Sequence, residues 1–477
     1  MQILDQYRGT VVACQYRIPP ALACTESFPK LRDTLHDAII RVVLAQPHMH
    51  VGIIGVESKK PGFVRLDNLD LRNHIHWTYV DESTHHDSLY VESLQTRLDS
   101  RYDNFATRPG WNIVILYRIG SDIMDIIYTW NHTHHDGMSA KIFHRSLLRN
   151  LANNYTSNRE PIFNVSDSPS SWIINLPDSS ARLPPNPEKL SSWPMTPKFL
   201  VQTLWKKLKP TWLFPPGAVY AHWAPIRTTP FKTRLGNFTI KSGTVTRIIT
   251  PCREHNTTVT GLLQALILIS LTSAIENAKG FASLTPYDLR KILPSKPPQY
   301  PWLEPDQSMC NYVSIVEHEY DAELTAAIRS KMSSYSTQGC LPDTVMNTMW
   351  SVAARIRREI EARLHSALWN DLIGIMKLCH DWTAQQKSET EKIRYLSWLV
   401  TNLGVLDGDQ NGSWSIRRAE LALSVDVHSA AFSVSVMTIK GGDMCVTCSW
   451  QDCVVDPSLG ERLLGDLERW LSAIGTA

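Results

Sequence analysis

Hydrophobic and polar positions alternate along Gly9–Arg17, the two-residue period of a half-buried strand. From Phe28 the spacing lengthens. Leu31, Leu35, Ala38, Ile39, Val42 and Val43 recur at a helical period to Ala45. Pro47 then stops the helix, because the residue before a proline is pushed out of the helical region. Strands follow at Val51–Val56 and Phe63–Leu71, then a helix at Ser88–Arg101. Two apolar strands, Trp111–Ile119 and Ile123–Trp130, flank a Gly-Ser-Asp turn, and the second runs into a helix over Met138–Asn153. This part of the chain is predicted as mixed α and β, with helices laid against a sheet.

The pattern breaks at Glu160–Lys198, which holds eight prolines and many serines. Such a stretch is expected to be an exposed linker or covering loop, and it divides the chain into 1–160, 161–217 and 218–477. Lys198–Lys209 sets Phe199, Leu200, Leu204, Trp205 and Leu208 against Lys206, Lys207 and Lys209. A membrane-surface helix would carry this pattern, but a helix packed on its own protein is favoured at this length. Phe238–Ile249 reads as a strand and Pro251–Asn256 as a short helix or turn. Thr260 or a neighbour caps a strongly apolar helix. Gly280–Leu293 is a strand with its exit loop, and Asn311–Tyr320 another strand. Helices at Ala322–Ser333 and Thr344–Leu364 precede strands at Tyr395–Val405, Trp414–Leu423, Ala430–Thr438 and Met444–Trp450, with a closing helix at Arg462–Ala473.

Length sharpens this picture, since 477 residues exceed what one simple core accommodates. Charge is almost balanced, 48 Lys and Arg against 46 Asp and Glu, which gives no electrostatic reason to expect nucleic acid or an anionic membrane. The run Gly261–Leu271 is apolar but too short to cross a bilayer, so no integral membrane association is expected. The first twenty residues lack the pattern of a secretory signal. Nine scattered cysteines suit reduced thiols inside a cell, and a cytoplasmic monomer is expected. The sixteen tryptophans are expected to fill core and lobe contacts.

Chemistry concentrates in Asn131-His132-Thr133-His134-His135-Asp136-Gly137, between the strand ending at Trp130 and the following helix. A neutral imidazole at a strand end is suited to act as general base toward a hydroxyl or amine. Asp136 enters a helix start, where the dipole and free N–H groups favour its charge, or it turns away to pair with an arginine. Gly137 leaves room for a ligand or a sharp turn. The bland alternative is a helix cap surrounded by surface histidines. A zinc site is disfavoured: His132-x-His134-x-Asp136 resembles part of a metallo-β-lactamase signature, but Gly137 stands where a further histidine is needed. Cys445 and Cys448 lie on one strand facing opposite ways and read as buried thiols. His85-His86-Asp87 has no identifiable second half.

The HxxxDG element at His132, Asp136 and Gly137, with the helix after it, resembles the alcohol O-acetyltransferase family of the CoA-dependent acyltransferase and condensation-domain superfamily. Cys252–Ala265, Pro286–Arg290, Asn311-Tyr312-Val313 and Thr401–Val405 resemble later segments of that family in the same order. The resemblance implies an α/β (α+β) fold with two lobes of the chloramphenicol-acetyltransferase type, each a mixed sheet covered by helices, with a tunnel between them. It implies that His132 deprotonates an acceptor hydroxyl that attacks acetyl-CoA or another acyl-CoA, and that Asp136 pairs with Arg290. Asn131, Thr401, Asn402 and Gly404 become substrate-tunnel candidates. Acyl-CoA and a small-molecule or secondary-metabolite alcohol would be the partners, with no permanently bound cofactor. Asn131 stands where condensation domains usually carry a first histidine, which favours ester over amide formation. The alternative is a condensation-like or cyclising catalyst on the same fold, fed by a carrier-protein thioester.

Overall fold

The computed structural model describes residues 3–81, 85–157, 172–178, 182–208, 216–332 and 341–476. The first part runs β1 (Thr10–Arg17), α1 (Phe28–Ala45), β2 (Val51–Ile54), β3 (Gly62–Arg65), β4 (Asn68–Asp70), β5 (Ile75–Tyr79), α2 (His86–Asp99), β6 (Trp111–Tyr117), β7 (Ile123–Trp130) and α3 (Gly137–Ser157). The middle holds β8 (Ile173–Asn175), α4 (Pro187–Leu190) and α5 (Pro197–Leu208). After it come β9 (Thr233–Ile240), α6 (Ser242–Glu254), α7 (Val259–Ala274), β10 (Phe281–Asp288), β11 (Val313–Tyr320), α8 (Ala322–Met332), α9 (Asp343–His365), α10 (Leu372–Met376) and α11 (Trp382–Glu389). The last elements are β12 (Trp398–Leu406), β13 (Ser415–Leu423), β14 (Phe432–Ile439), β15 (Met444–Gln451) and α12 (Pro457–Ile474).

Two mixed sheets carry the fold. The first has the order β13-β1-β7-β6-β5 and the second β11-β10-β12-β14-β15-β9; two small ribbons pair β2 with β3 and β4 with β8. β1 is an interior strand of the first sheet, with Thr10 opposite Trp130 on one side and Leu423 on the other. Its residues Thr10–Cys14 are buried, as a strand covered on both faces requires. Val12, Cys14 and Tyr16 pack with α1 and α3, while Val11 and Ala13 pack with Tyr90, Leu94 and Leu98 of α2. In the second sheet α7 is buried from Gly261 to Thr272 and lies against β12, β14 and β15 in one core. Leu406, Met437 and Ile439 from that sheet's strands enter the first core, so the two sheets share an apolar seam. Among the described residues no single helix is long and apolar enough to cross a membrane; α6 and α7 reach that length only together, bent by 89°.

Several expectations need correction. The strand expected over Phe238–Ile249 is the end of β9 followed by α6; at Pro251–Asn256, expected as a short helix or turn, residues through Glu254 are the end of α6. Its β-branched residues suggested a strand, but Val245, Ile248 and Cys252 bury one helical face. The cap expected at Thr260 or a neighbour is Thr258, which accepts from Gly261 N–H at 3.2 Å. Phe63–Leu71 breaks into β3 and β4. The strands do not follow the chain division at 161–217, since β13 from the last part completes the first sheet. Part of the proline-rich stretch is ordered as β8, paired with β4, and as α4. Residues 158–171, 179–181, 209–215 and 333–340 of the expected linker and helix ends lie outside the described residues. On α5, Val201 and Trp205 are exposed, so that helix does not bury its whole apolar face.

Candidate active site

The loop 131–136 is held from below before any chemistry is considered. Asn131 N–H donates to Gly110 O at 2.7 Å, and its side-chain oxygen accepts from Thr133 N–H at 2.8 Å, a side-chain-closed turn. A Cβ at Gly110 would stand 2.7 Å from Asn131 Cβ and 2.8 Å from His134 Nδ1, so the close approach needs glycine. Trp130 Nε1–H donates to His135 O at 2.8 Å. His134 and His135 point into the protein, at Val51 O and the Tyr128 hydroxyl. Burial pushes His134 down to about 3, and His135 well below the ordinary value, so both are neutral packing groups. Among the described residues no group of three or more His, Cys, Asp or Glu side chains is placed to hold a metal ion.

Asp136 is saturated. It caps α3, with Ser139 N–H donating to Oδ1 at 2.8 Å and the Ser139 hydroxyl 2.9 Å from the same oxygen. Tyr312 N–H donates to Oδ2 at 2.8 Å. Arg290, on the turn after β10, donates through Nη1 to Oδ2 at 2.7 Å and through Nη2 to Oδ1 at 3.3 Å. The pair is almost entirely buried, with side chains 1% and 4% exposed. The rest of the guanidinium reaches Asp288 Oδ1 and the carbonyls of Pro305, Ser308 and Cys310. Burial raises the Asp136 carboxyl, but the Arg290 charge and the donated hydrogen bonds outweigh it and hold the group below its usual value.

His132 is the opposite case. Its ring lies edge-on to Tyr7, with centroids 5.8 Å apart, and part of the residue remains exposed. Asn311 Nδ2 donates to His132 O at 2.6 Å and lies 3.3 Å from Nδ1. Its own backbone favours the charged form of the ring. With Nδ1 held on the backbone side, Nε2 is the nitrogen left for a substrate. Burial lowers the imidazole pKa below its ordinary value, partly offset by the charges of Asp136 and Asp426 and by the backbone bond.

Gly137 meets the second sheet directly. A Cβ there would stand 2.7 Å from Leu403 Cδ2 on β12, and Lys141 Nζ donates to Leu403 O at 3.1 Å. β12 bulges at this point: its register with β14 shifts between Asn402 and Val405, and Gly404 takes φ +69°. Asn402 Oδ1 accepts from Gly404 N–H at 2.8 Å, and its Nδ2 donates to Thr260 Oγ1 at 3.2 Å. Thr401 precedes the bulge, half-buried. The structure thus joins His132, Asp136, Gly137 and Arg290 in one junction with the β12 bulge, while the Asn131 side-chain oxygen belongs to the turn.

Tyr7, Asn311, Ser139 and Leu403 were not singled out from sequence as site residues. The polar trio's contacts depend on segments far apart in the chain, and only Ser139 carried a local signal, the capping position three residues after Asp136. His86 also has a partner: Nε2 lies 2.9 Å from Asp125 Oδ2.

The chain is similar to known proteins in sequence and in fold. The family described as alcohol acetyltransferase matches residues 67–459. The Fusarium pseudograminearum protein named "Probable alcohol acetyltransferase FCK4" is 28% identical over 457 residues, covering 92% of this chain and 86% of that protein. Among solved structures, the trichothecene 15-O-acetyltransferase TRI3 of Fusarium sporotrichioides superposes with TM-score 0.66 at 12% identity, covering 99% of this chain and 91% of TRI3. A condensation domain of the calcium-dependent antibiotic synthetase gives TM-score 0.62 at 8% identity, covering 99% and 92%. At these identities the structural likenesses speak to the fold.

Proposed function

Because the chain belongs to the alcohol acetyltransferase family and is an acyltransferase, we propose that it moves an acetyl group from acetyl-CoA to a hydroxyl of a small-molecule acceptor, with His132 as general base. The observation that supports this best is the division of labour in the loop: Asp136 is closed off by Arg290, while His132 is held through Asn311 with its Nε2 unengaged among the described residues.

Nε2 takes the acceptor proton as the hydroxyl oxygen attacks the thioester carbonyl. The tetrahedral intermediate collapses, the carbon–sulfur bond breaks, and the imidazolium returns the proton to the departing CoA sulfur. A neutral base is needed, and the lowered pKa of His132 provides it around neutral pH. Asp136 and Arg290 hold the strand-to-helix turn and touch no reacting atom. Acceptor and thioester would approach His132 from opposite sides of the junction between the two sheets, along a tunnel bordered by the β12 bulge with Thr401, Asn402 and Gly404.

The test is turnover. Purified protein is mixed with acetyl-CoA and a panel of alcohols, and free thiol and ester are measured. His132→Ala is expected to lower the rate by about 10²–10⁴-fold with an unchanged melting temperature. Full turnover by that variant would end the general-base reading.

A further inference from the structure

From its start at Gly137, α3 carries Lys141, Arg145 and Arg149 at intervals of four residues. That spacing puts them on one face, with neighbouring Cβ atoms about 5–6 Å apart. The face extends over about 12 Å of helix. It begins at the site, where Gly137 abuts Leu403 and Lys141 Nζ donates to Leu403 O on the β12 bulge at 3.1 Å. From there it runs along the segment that joins β10 to β11. Arg145 Nη2 donates to Asp306 O at 3.2 Å and to Gln307 Oε1 at 2.9 Å on that segment. Lys291, exposed, extends from the same segment beside the Arg290 that clamps Asp136. Lys141 and Arg145 are half-buried and Arg149 is exposed, so the face is open to a ligand.

Like charges four residues apart on a helix repel. Among the described residues none of these four cations has a carboxylate within ion-pair distance. Asp288 is engaged by Arg290, and Asp306 meets Arg145 through its backbone carbonyl. Burial lowers the Lys141 pKa, and the charges of Arg145 and Lys291 lower it further, with Asp288 opposing. Burial and Arg149 act on Arg145 in the same direction. The chain as a whole is nearly neutral, 48 basic against 46 acidic residues, so this excess is local. A solvated helix face usually mixes charges of both signs. One sign, held against a second segment and leading to the reaction loop, concentrates an anion there instead.

We propose that Lys141, Arg145, Arg149 and Lys291 bind the phosphates of CoA, both the diphosphate and the 3′-phosphate, so that the thioester arm runs along α3 and past the β12 bulge to His132. This rests on the acyl-transfer reading above and assigns its donor side. The two arginines are suited to fork phosphate oxygens, and the two lysines act as point charges. The acceptor then enters from the other side of the junction, and the base remains His132.

The experiment compares three donors: acetyl-CoA, acetyl-dephospho-CoA without the 3′-phosphate, and S-acetylpantetheine without any phosphate. KM and kcat with one alcohol are measured for the wild type, Arg149→Gln, Lys291→Gln and the double variant Arg145→Gln/Arg149→Gln, with melting temperatures to confirm folding. Arg149→Gln and Lys291→Gln change exposed side chains and keep the test decisive if the double variant does not fold. The double variant is expected to raise KM for acetyl-CoA about tenfold, with kcat and the KM for S-acetylpantetheine within about twofold of wild type. Acetyl-dephospho-CoA should fall between the two. Calorimetric titration with CoA alone reads the same site without turnover: Kd should weaken about tenfold in the double variant, and wild-type affinity should drop as salt is raised. An unchanged KM for acetyl-CoA, or an equal rise for all three donors, overturns the inference and leaves a solvated helix face. Turnover of a carrier-protein thioester by a protein that does not bind CoA overturns it as well. CoA binding that depends on Arg145 and Arg149, without thiol release, supports the site while the acyl-transfer reading fails.

Discussion

His132 and Asp136 stand four residues apart in one loop and are treated in opposite ways. Asp136 receives hydrogen bonds from Ser139, Tyr312 and Arg290 and is sealed from solvent. His132 has its backbone oxygen and Nδ1 beside Asn311, keeps some exposure, and has no described partner at Nε2. Burial opposes the charged form of both. In Asp136 a buried guanidinium reverses the outcome; in His132 the carboxylates of Asp136 and Asp426 offset it only in part. A short motif of two reactive residue types can thus be one clamp and one working group, and the partners rather than the residue types decide which is which.

The largest effect that could break this comparison comes from Arg290→Ala. It leaves Asp136 as a buried charge without its counterion and should cost about 3–5 kcal/mol in denaturant unfolding. His132→Ala should stay within about 1 kcal/mol of wild type in the same measurement, because among the described residues it disturbs little beyond the Asn311 side chain and the Tyr7 ring contact. Equal losses in the two variants would remove the distinction between clamp and base. Smaller is Gly137→Ala, whose new Cβ would press on the movable end of Leu403. A loss of roughly 1–3 kcal/mol is expected, recovered in part when Leu403 is also shortened to alanine. An unchanged midpoint would mean that the helix start and the β12 bulge are not in firm contact. Smallest is a shift in the pH profile. The base works when neutral, and burial lowers its pKa, so the acid limb of kcat/KM should fall below the ordinary histidine value of 6.5. A limb at or above 6.5 would place His132 among stronger negative charges than the structure shows.

Much of this was legible from the chain. The β7-to-α3 turn has an apolar strand, a histidine, an aspartate, a glycine and a helical repeat in direct succession, so every signal was local. Arg290 was expected as the partner of Asp136 only through a family resemblance, and the 2.7 Å contact agrees. Less accessible were α6, where β-branched residues masked a helical face, and the backbone donor from Tyr312, which no side-chain pattern reveals. Tyr7, which meets His132, lies in residues 6–9, and these run beside residues 424–427 in a pairing across some four hundred positions. No window of sequence contains both partners, and neither residue type is distinctive alone.

The placement of β13 has a further consequence, for synthesis. β1 pairs with β7 on one side, and its other side is closed by Ser415–Leu423. At the usual elongation rates, the ribosome needs roughly 15–60 s to travel from Trp130 to Ser415. During that interval the nascent first sheet has four of its five strands and an open edge at β1, with buried-type residues such as Val11 and Val12 along it. Expression should therefore respond to chaperone supply and to slower growth temperature more than the finished protein's stability would suggest.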